Sequence, residues 1–238
     1  MNKDWTKIRA KVKDFIENEI YPKENDLAKG TPEARNMLGS LMQLAKDEKI
    51  WALGHPKDIG GGGMPFMEYV YVNEVIGRSS FAMVALGTHS LQDSIMLREF
   101  ASPHWRDQYL EPLVQGEIFP SFGMTEPDVA SSDPTQLETT AILENGTWKI
   151  NGRKWFTTGA ARAAYTTVMC RTELDAASHG AFSMIIVPTD NPGYKIIRET
   201  PVLGINGGHY EVEYDNVEVP EENLLGPRGQ GFIIAQKR

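Results

Sequence analysis

The chain has 238 residues, 41% of them hydrophobic, enough for one large domain or two modest ones with a real core. Its single cysteine, Cys170, excludes an intramolecular disulfide and a cysteine-based zinc site. With 24 Lys and Arg against 32 Asp and Glu, the net charge of −8 argues against general binding to a nucleic-acid backbone.

The N-terminus, MNKDWTKIRAKVKDF, is charged from its start and lacks the apolar core of a signal or transit peptide. No apolar run approaches the roughly 20 residues of a membrane span. A cytoplasmic, bacterial-type protein is the expectation. Trp5, Ile8, Val12, Phe15, Ile16 and Ile20 recur at helical spacing and predict a helix that ends at Pro22. Thr31-Pro32 reads as an N-cap followed by proline in the first helical position, opening a helix to about Leu53 that Gly54 stops. The segment DIGGGGMPF is a break, either a hinge or a gap where another segment passes closely. Helices are predicted over 65–78 and 81–100, and Ser102-Pro103 repeats the cap-then-proline signal for a shorter one.

From Phe119 the apolar period falls to two. Candidate strands are FPSFGMTE, LETTAILE, TWKING, KWFTTG, YTTVMCR, FSMIIVP, YKIIRE and YEVEYDNVEVP, with Asn145-Gly146 as a hairpin turn between two alternating runs. The predicted fold class is α+β. An all-α domain over 1–118 precedes an antiparallel β-barrel or sandwich over 119–226, and residues 227–238 start a helix leading to a further helical domain that the chain lacks.

Two stretches carry chemistry. FGMTEPDVASSD (122–133) leaves an apolar strand, stiffens at Pro127 and fills with small and hydroxyl residues whose amides suit an anion or a carbonyl. INGRKWFTTGA (150–161) places Trp155 and Phe156 beside two threonines, an apolar face and hydroxyl suited to a flat heteroaromatic ring. Simple alternation pairs Trp155 with Thr157 on one face and Phe156 with Thr158 on the other. Each stretch alone also reads as a polar turn or ordinary core.

Together, MTEPDVASSD, INGRKWFTTGA and the exit segment YDNVEVPEENLLGPRGQGFIIAQKR resemble the acyl-CoA dehydrogenases, most of all the subgroup with the human members numbered ten and eleven. The resemblance implies FAD as cofactor, with Phe122, Met124 and Thr125 along the flavin edge. Ser131 and Ser132 would meet the pyrophosphate, Trp155 and Phe156 would pack by the ring, and Thr157 would bring its hydroxyl near flavin N5. Ser132 would also meet the pantetheine of an acyl-CoA substrate. The resemblance further implies electron-transfer flavoprotein or a similar acceptor, a homodimer or homotetramer, and a catalytic carboxylate in a last helical domain. No residue of this chain is therefore expected to be catalytic, and five scattered His with no HxxxH or HExxH spacing suggest no metal ligand. A flavin oxidase or monooxygenase on the same scaffold, or a non-catalytic binding module, are the rival readings. Glu126 is expected to pin its loop through backbone N–H groups, and Asp128 and Asp133 to be turn acids. Glu211 and Glu213 are expected in solvent, and Cys170 as a small buried hydrophobe. Arg98, Arg106 and Lys154 are weak candidates for CoA phosphates, or a solvated surface. His209, in the GINGGHYEV segment (204–212), is a weaker substrate candidate.

Overall fold

A computed structural model describes residues 4–176, 180–204 and 208–237. Two compact units emerge. The first runs to Ser94 and takes in Val114–Gly116, while the second holds Ile95–Leu113 and continues from Glu117. Residues 95–113 belong with the β-rich unit because Met96, Leu97, Trp105 and Leu113 share a core with Tyr165, Phe182 and Leu225.

The first unit is helical. Helix α1 (Asp4–Phe15) passes into a wide π turn (Ile16–Ile20) and a 3-10 turn (Tyr21–Lys23) that leads to α2 (Glu24–Leu27). Pro22 does not end the helical path. It has no N–H for the carbonyl four residues back, so the chain widens instead and Tyr21 N–H donates to the Ile16 carbonyl. Thr31 caps α3 (Pro32–Asp47) as expected, its hydroxyl accepting from Ala34 N–H. That helix stops short of Leu53. Lys49 adopts φ +60°, Ile50 N–H reaches the Ala45 carbonyl and Lys49 N–H the Lys46 carbonyl, a Schellman stop with lysine where glycine is usual. The tetraglycine segment is a close approach: a Cβ on Gly61 would lie 2.3 Å from His55 Cβ, and one on Gly62 would lie 2.8 Å from Leu53 Cα. Beyond α4 (Phe66–Ile76), the long helix expected over 81–100 is two, α5 (Ser80–Ala85) and α6 (Leu91–Phe100). Gly87 separates them at φ +73° with the Trp51 ring against it. Then come α7 (Pro103–Trp105), capped by Ser102, a second π turn (Arg106–Leu110) ahead of Pro112, and α8 (Glu111–Gln115). Within the second unit, which also takes in most of α6 and all of α7, the segment 227–237 carries α9 (Gly231–Ala235).

The β-rich unit holds β1 (Pro120–Gly123), β2 (Thr140–Glu144), β3 (Thr147–Thr158), β4 (Tyr165–Arg171), β5 (Phe182–Pro188), β6 (Tyr194–Glu199), β7 (His209–Pro220) and β8 (Leu224–Leu225). They form one sheet in the order β6-β7-β3-β2-β4-β5-β8, with β1 also paired to β4. TWKING and KWFTTG are a single long strand, and β8 carries no alternation long enough to see in the sequence. Asn145 (φ +51°) and Gly146 (φ +77°) make the predicted turn between β2 and β3.

The sheet is mixed, which corrects the purely antiparallel expectation. Both β1 and β2 run parallel to β4. They fill the space between β3 and β4 from its two ends: Ser121 donates to the Thr158 carbonyl of β3 near one end, and β2 pairs with β3 from Thr147 to Asn151 at the other. They behave as one strand interrupted by residues 124–139. That interruption lays the TEPDVASSD loop beside the middle of β3.

Candidate functional site

The centre of the site is a bulge in β3. Its pairing with β7 steps from Lys154↔Val212 to Thr157↔Tyr210, so β3 has one residue more than its partner across that interval. Phe156 takes up the extra length at φ +49°, a left-handed conformation that a residue with a Cβ adopts at a cost. The bulge overturns the expected pairing of faces. Lys154 and Thr157, three apart, are both buried, Trp155 is half-buried, and Phe156 is 42% exposed. The Trp155 and Phe156 rings still touch, 4.7 Å apart and tilted by 57°. Thr157 Oγ1 has no hydrogen-bond partner among the described residues although it is buried. Leaving a hydroxyl so costs about 1–3 kcal/mol.

The interrupting loop is tied to this bulge. Thr125 Oγ1 donates to the Trp155 carbonyl at 2.9 Å, and Trp155 N–H donates to the Thr125 carbonyl at 2.9 Å. Phe122 and Met124 pack on the core around Tyr165 and Leu225 while remaining part-exposed. Ser131 is spent within the loop: its hydroxyl accepts from Glu126 N–H at 2.8 Å and donates to the Glu126 carbonyl at 3.0 Å. Ser132 is exposed. Asp133 caps the following 3-10 turn, accepting from Thr135 N–H.

Glu126 pins the loop from inside. Its two oxygens accept from Glu138 N–H (2.7 Å) and Thr139 N–H (2.9 Å), and Lys154 Nζ reaches it at 2.7 Å. Burial alone would raise its pKa, but the Lys154 charge and these hydrogen bonds outweigh burial and hold the carboxyl below its ordinary range. Lys154, read from the sequence as a surface candidate, is fully buried, and burial lowers its own pKa against the opposing pull of Glu126. The signal was present: Trp148, Ile150 and Lys154 share the inward phase of one strand, and a buried lysine requires a carboxylate. Gly152 in the same strand has φ +150°, and a Cβ there would lie 2.4 Å from Thr139 Oγ1. The loop end can therefore close on β3 only at a glycine.

Glu211 is also corrected. It lies buried between Arg153 and Arg198, whose Nε is 2.5 Å away, because β7 is flanked by both arginine-bearing strands. Arg106 is exposed, Arg98 is half-buried, and neither lies in the loop or the bulge. Cys170 is free and buried, its thiol pushed up to about 12 by that burial. His209 accompanies the site, with Nδ1 2.9 Å from Thr158 Oγ1 and its ring edge-on to Phe156. Part of the expected substrate-side segment, residues 205–207, lies outside the described residues. No helix is long and apolar enough to cross a membrane among the described residues.

Residues 2–117 match the acyl-CoA dehydrogenase N-terminal domain, and residues 121–217 match the acyl-CoA dehydrogenase middle domain. Probable acyl-CoA dehydrogenase FadE2 of Mycobacterium tuberculosis is 40% identical over 97% of this chain and 59% of its own length. Acyl-CoA dehydrogenase family member 11 of Homo sapiens is 34% identical over 97% of this chain and 32% of its own. Among solved structures, an acyl-CoA dehydrogenase from Geobacillus kaustophilus superposes with a TM-score of 0.80 at 25% identity, covering 100% of this chain and 62% of that one. The chain belongs to the acyl-CoA dehydrogenase family. It spans 59% of the length of the FadE2 relative and about a third of the human one.

Proposed function

We propose that this chain supplies the flavin-contacting part of an FAD-dependent acyl-CoA dehydrogenase, which removes the α and β hydrogens of an acyl-CoA thioester. The observation that carries the reading is Thr157: a buried hydroxyl without a partner among the described residues, in a strained bulge rimmed by Trp155 and the exposed Phe156. A ring nitrogen brought to this point would satisfy the hydroxyl, and the two neighbouring aromatics present faces for a planar ring to pack on. The residues present therefore fit the group that the family implies.

In this reading FAD, when bound, accepts the hydride from the β-carbon. Thr157 orients the ring by its hydroxyl, while Phe122, Met124 and Thr125 border the ring edge. Ser132, exposed on the loop, is free to meet pyrophosphate and the pantetheine arm; Ser131 contributes by holding the loop shape rather than through a free hydroxyl. Glu126 is not the α-proton base, because both of its oxygens are engaged by backbone amides and it is ion-paired to buried Lys154. The family resemblance implies that the base sits in a last helical domain. The electron acceptor is electron-transfer flavoprotein or a similar carrier, and the working enzyme is a homodimer or homotetramer in a cytoplasmic compartment.

The test is a visible absorption spectrum of the chain after incubation with FAD and desalting, beside Thr157→Val. Flavin bands that stay with the wild-type chain and are weakened in Thr157→Val are expected. A wild-type chain that carries no flavin, alone or extended past residue 238, would overturn the reading.

A further inference from the structure

We infer that the buried Lys154–Glu126 pair is a positioning element of the flavin site: the Lys154 ammonium, held on the Met124 carbonyl, strengthens the Thr125 N–H of the same peptide group as a donor to the bound cofactor. The inference rests on the flavin reading above. Lys154 Nζ lies 2.9 Å from the Met124 carbonyl oxygen and 2.7 Å from Glu126 Oε1. Its stem passes beneath the last residue of β1, where a Cβ on Gly123 would lie 3.3 Å from Lys154 Cγ.

The far end of the polarised peptide is the Thr125 N–H. Thr125 uses its hydroxyl and its carbonyl on Trp155, whereas its N–H donates to none of the described residues. A cation on a carbonyl draws electron density through the conjugated amide and makes the attached N–H a stronger donor. Pinning the loop does not by itself call for this arrangement. Replacing a buried ion pair by apolar groups of similar volume is often neutral or stabilising, so the pair is weak evidence for stability alone. Glu126 already has two amides to hold the loop, and the lysine spends a further bond on a peptide whose N–H donates to none of the described residues. Burial lowers the Lys154 pKa and the carboxylate beside it opposes that shift, while Nζ sits at ion-pair distance, 2.7 Å, from Glu126 Oε1.

The experiment compares wild type, Lys154→Arg and the double variant Glu126→Gln/Lys154→Met, which removes both charges and leaves no lone buried ion to unfold the chain. Three quantities are read: the Thr125 amide proton shift without cofactor, FAD affinity, and the midpoint potential of the bound flavin. In the double variant the Thr125 amide proton is expected to move upfield, FAD to bind about tenfold more weakly, and the potential to fall. Lys154→Arg should restore most of the shift. An unchanged Thr125 shift in a folded double variant overturns the inference whether or not FAD binds. Wild-type chain that takes up no FAD overturns the flavin reading instead, so the two failures are distinct. A weaker FAD affinity with unchanged shift and unchanged potential would reduce the pair to a loop pin, which also overturns it.

Discussion

At Thr157 and His55, single side chains sit in environments that ordinary packing does not need. His55 is buried with Nε2 3.0 Å from Ser90 Oγ, and burial, only partly opposed by hydrogen bonds at Ala52 and Ser90, lowers its pKa to about 4. An unfolded histidine titrates near 6.5, so between that value and about 4 the unfolded chain holds the extra proton. The contribution of His55 to stability is therefore complete above pH 6.5 and is lost as pH falls toward 4, by about 3 kcal/mol. Urea unfolding of wild type and His55→Gln at pH 7.5 and 4.5 should show a smaller pH-dependent loss in the variant; parallel losses would exclude this residue as the cause. At Thr157 the methyl of valine fills the space of the hydroxyl without asking for a bond. Thr157→Val without FAD is expected to be neutral or stabilised by about 1 kcal/mol, the opposite of its expected effect on flavin retention.

Among the elements, turns show how local strain and contact separate. Gly146 and Gly87 both have left-handed φ, +77° and +73°. A Cβ on Gly146 meets nothing within 4 Å, whereas on Gly87 it would lie 2.8 Å from Trp51, itself anchored by Nε1 donating to the Val114 carbonyl. Gly146→Ala should cost only the conformational term, about 1–2 kcal/mol. Gly87→Ala should add an overpacking cost of roughly 1–3 kcal/mol. Chemical denaturation of the two variants side by side checks the order, and equal losses would mean that the Trp51 contact yields freely. The two π turns follow the same logic of local necessity. Each stands just ahead of a proline, Pro22 or Pro112, whose missing N–H leaves the ordinary helical ladder one donor short.

On the scale of the whole molecule, the proposed cofactor links site to stability. FAD at a hundred times its dissociation constant should stabilise the unit that binds it by about 2.7 kcal/mol. Amides of β3 and β4 should then exchange more slowly by hydrogen-exchange mass spectrometry. Unchanged exchange across β1 to β4 with flavin retained would place the cofactor elsewhere. The charge of −8 has a related consequence. In the proposed reading that charge gives no overall attraction for the phosphates of FAD or CoA, and the backbone N–H groups and hydroxyls of the loop are the groups proposed to recognise them.

Much of this protein was legible in its residues. Helix spacing, the Thr31-Pro32 cap, the Asn145-Gly146 turn and the change of period at Phe119 are local signals, each set by interactions within a few residues. The TEPDVASSD and KWFTT stretches stood out because their residue types suit a flat, acceptor-rich ligand, and the structure brings them into contact through Thr125 and Trp155. Tertiary structure alone decided the rest. That β1 and β2 fill one interrupted strand position depends on both being parallel to β4, pairings across 45 and 31 residues. The bulge that separates Trp155 from the face of Thr157 arises from a mismatch of lengths between β3 and β7, which neither strand reveals alone. Lys154 inside, and Glu211 between two arginines, follow from what neighbouring strands place opposite them. Local sequence sets conformation over a turn or a strand, whereas burial of a charge is set by partners that only the folded chain brings near.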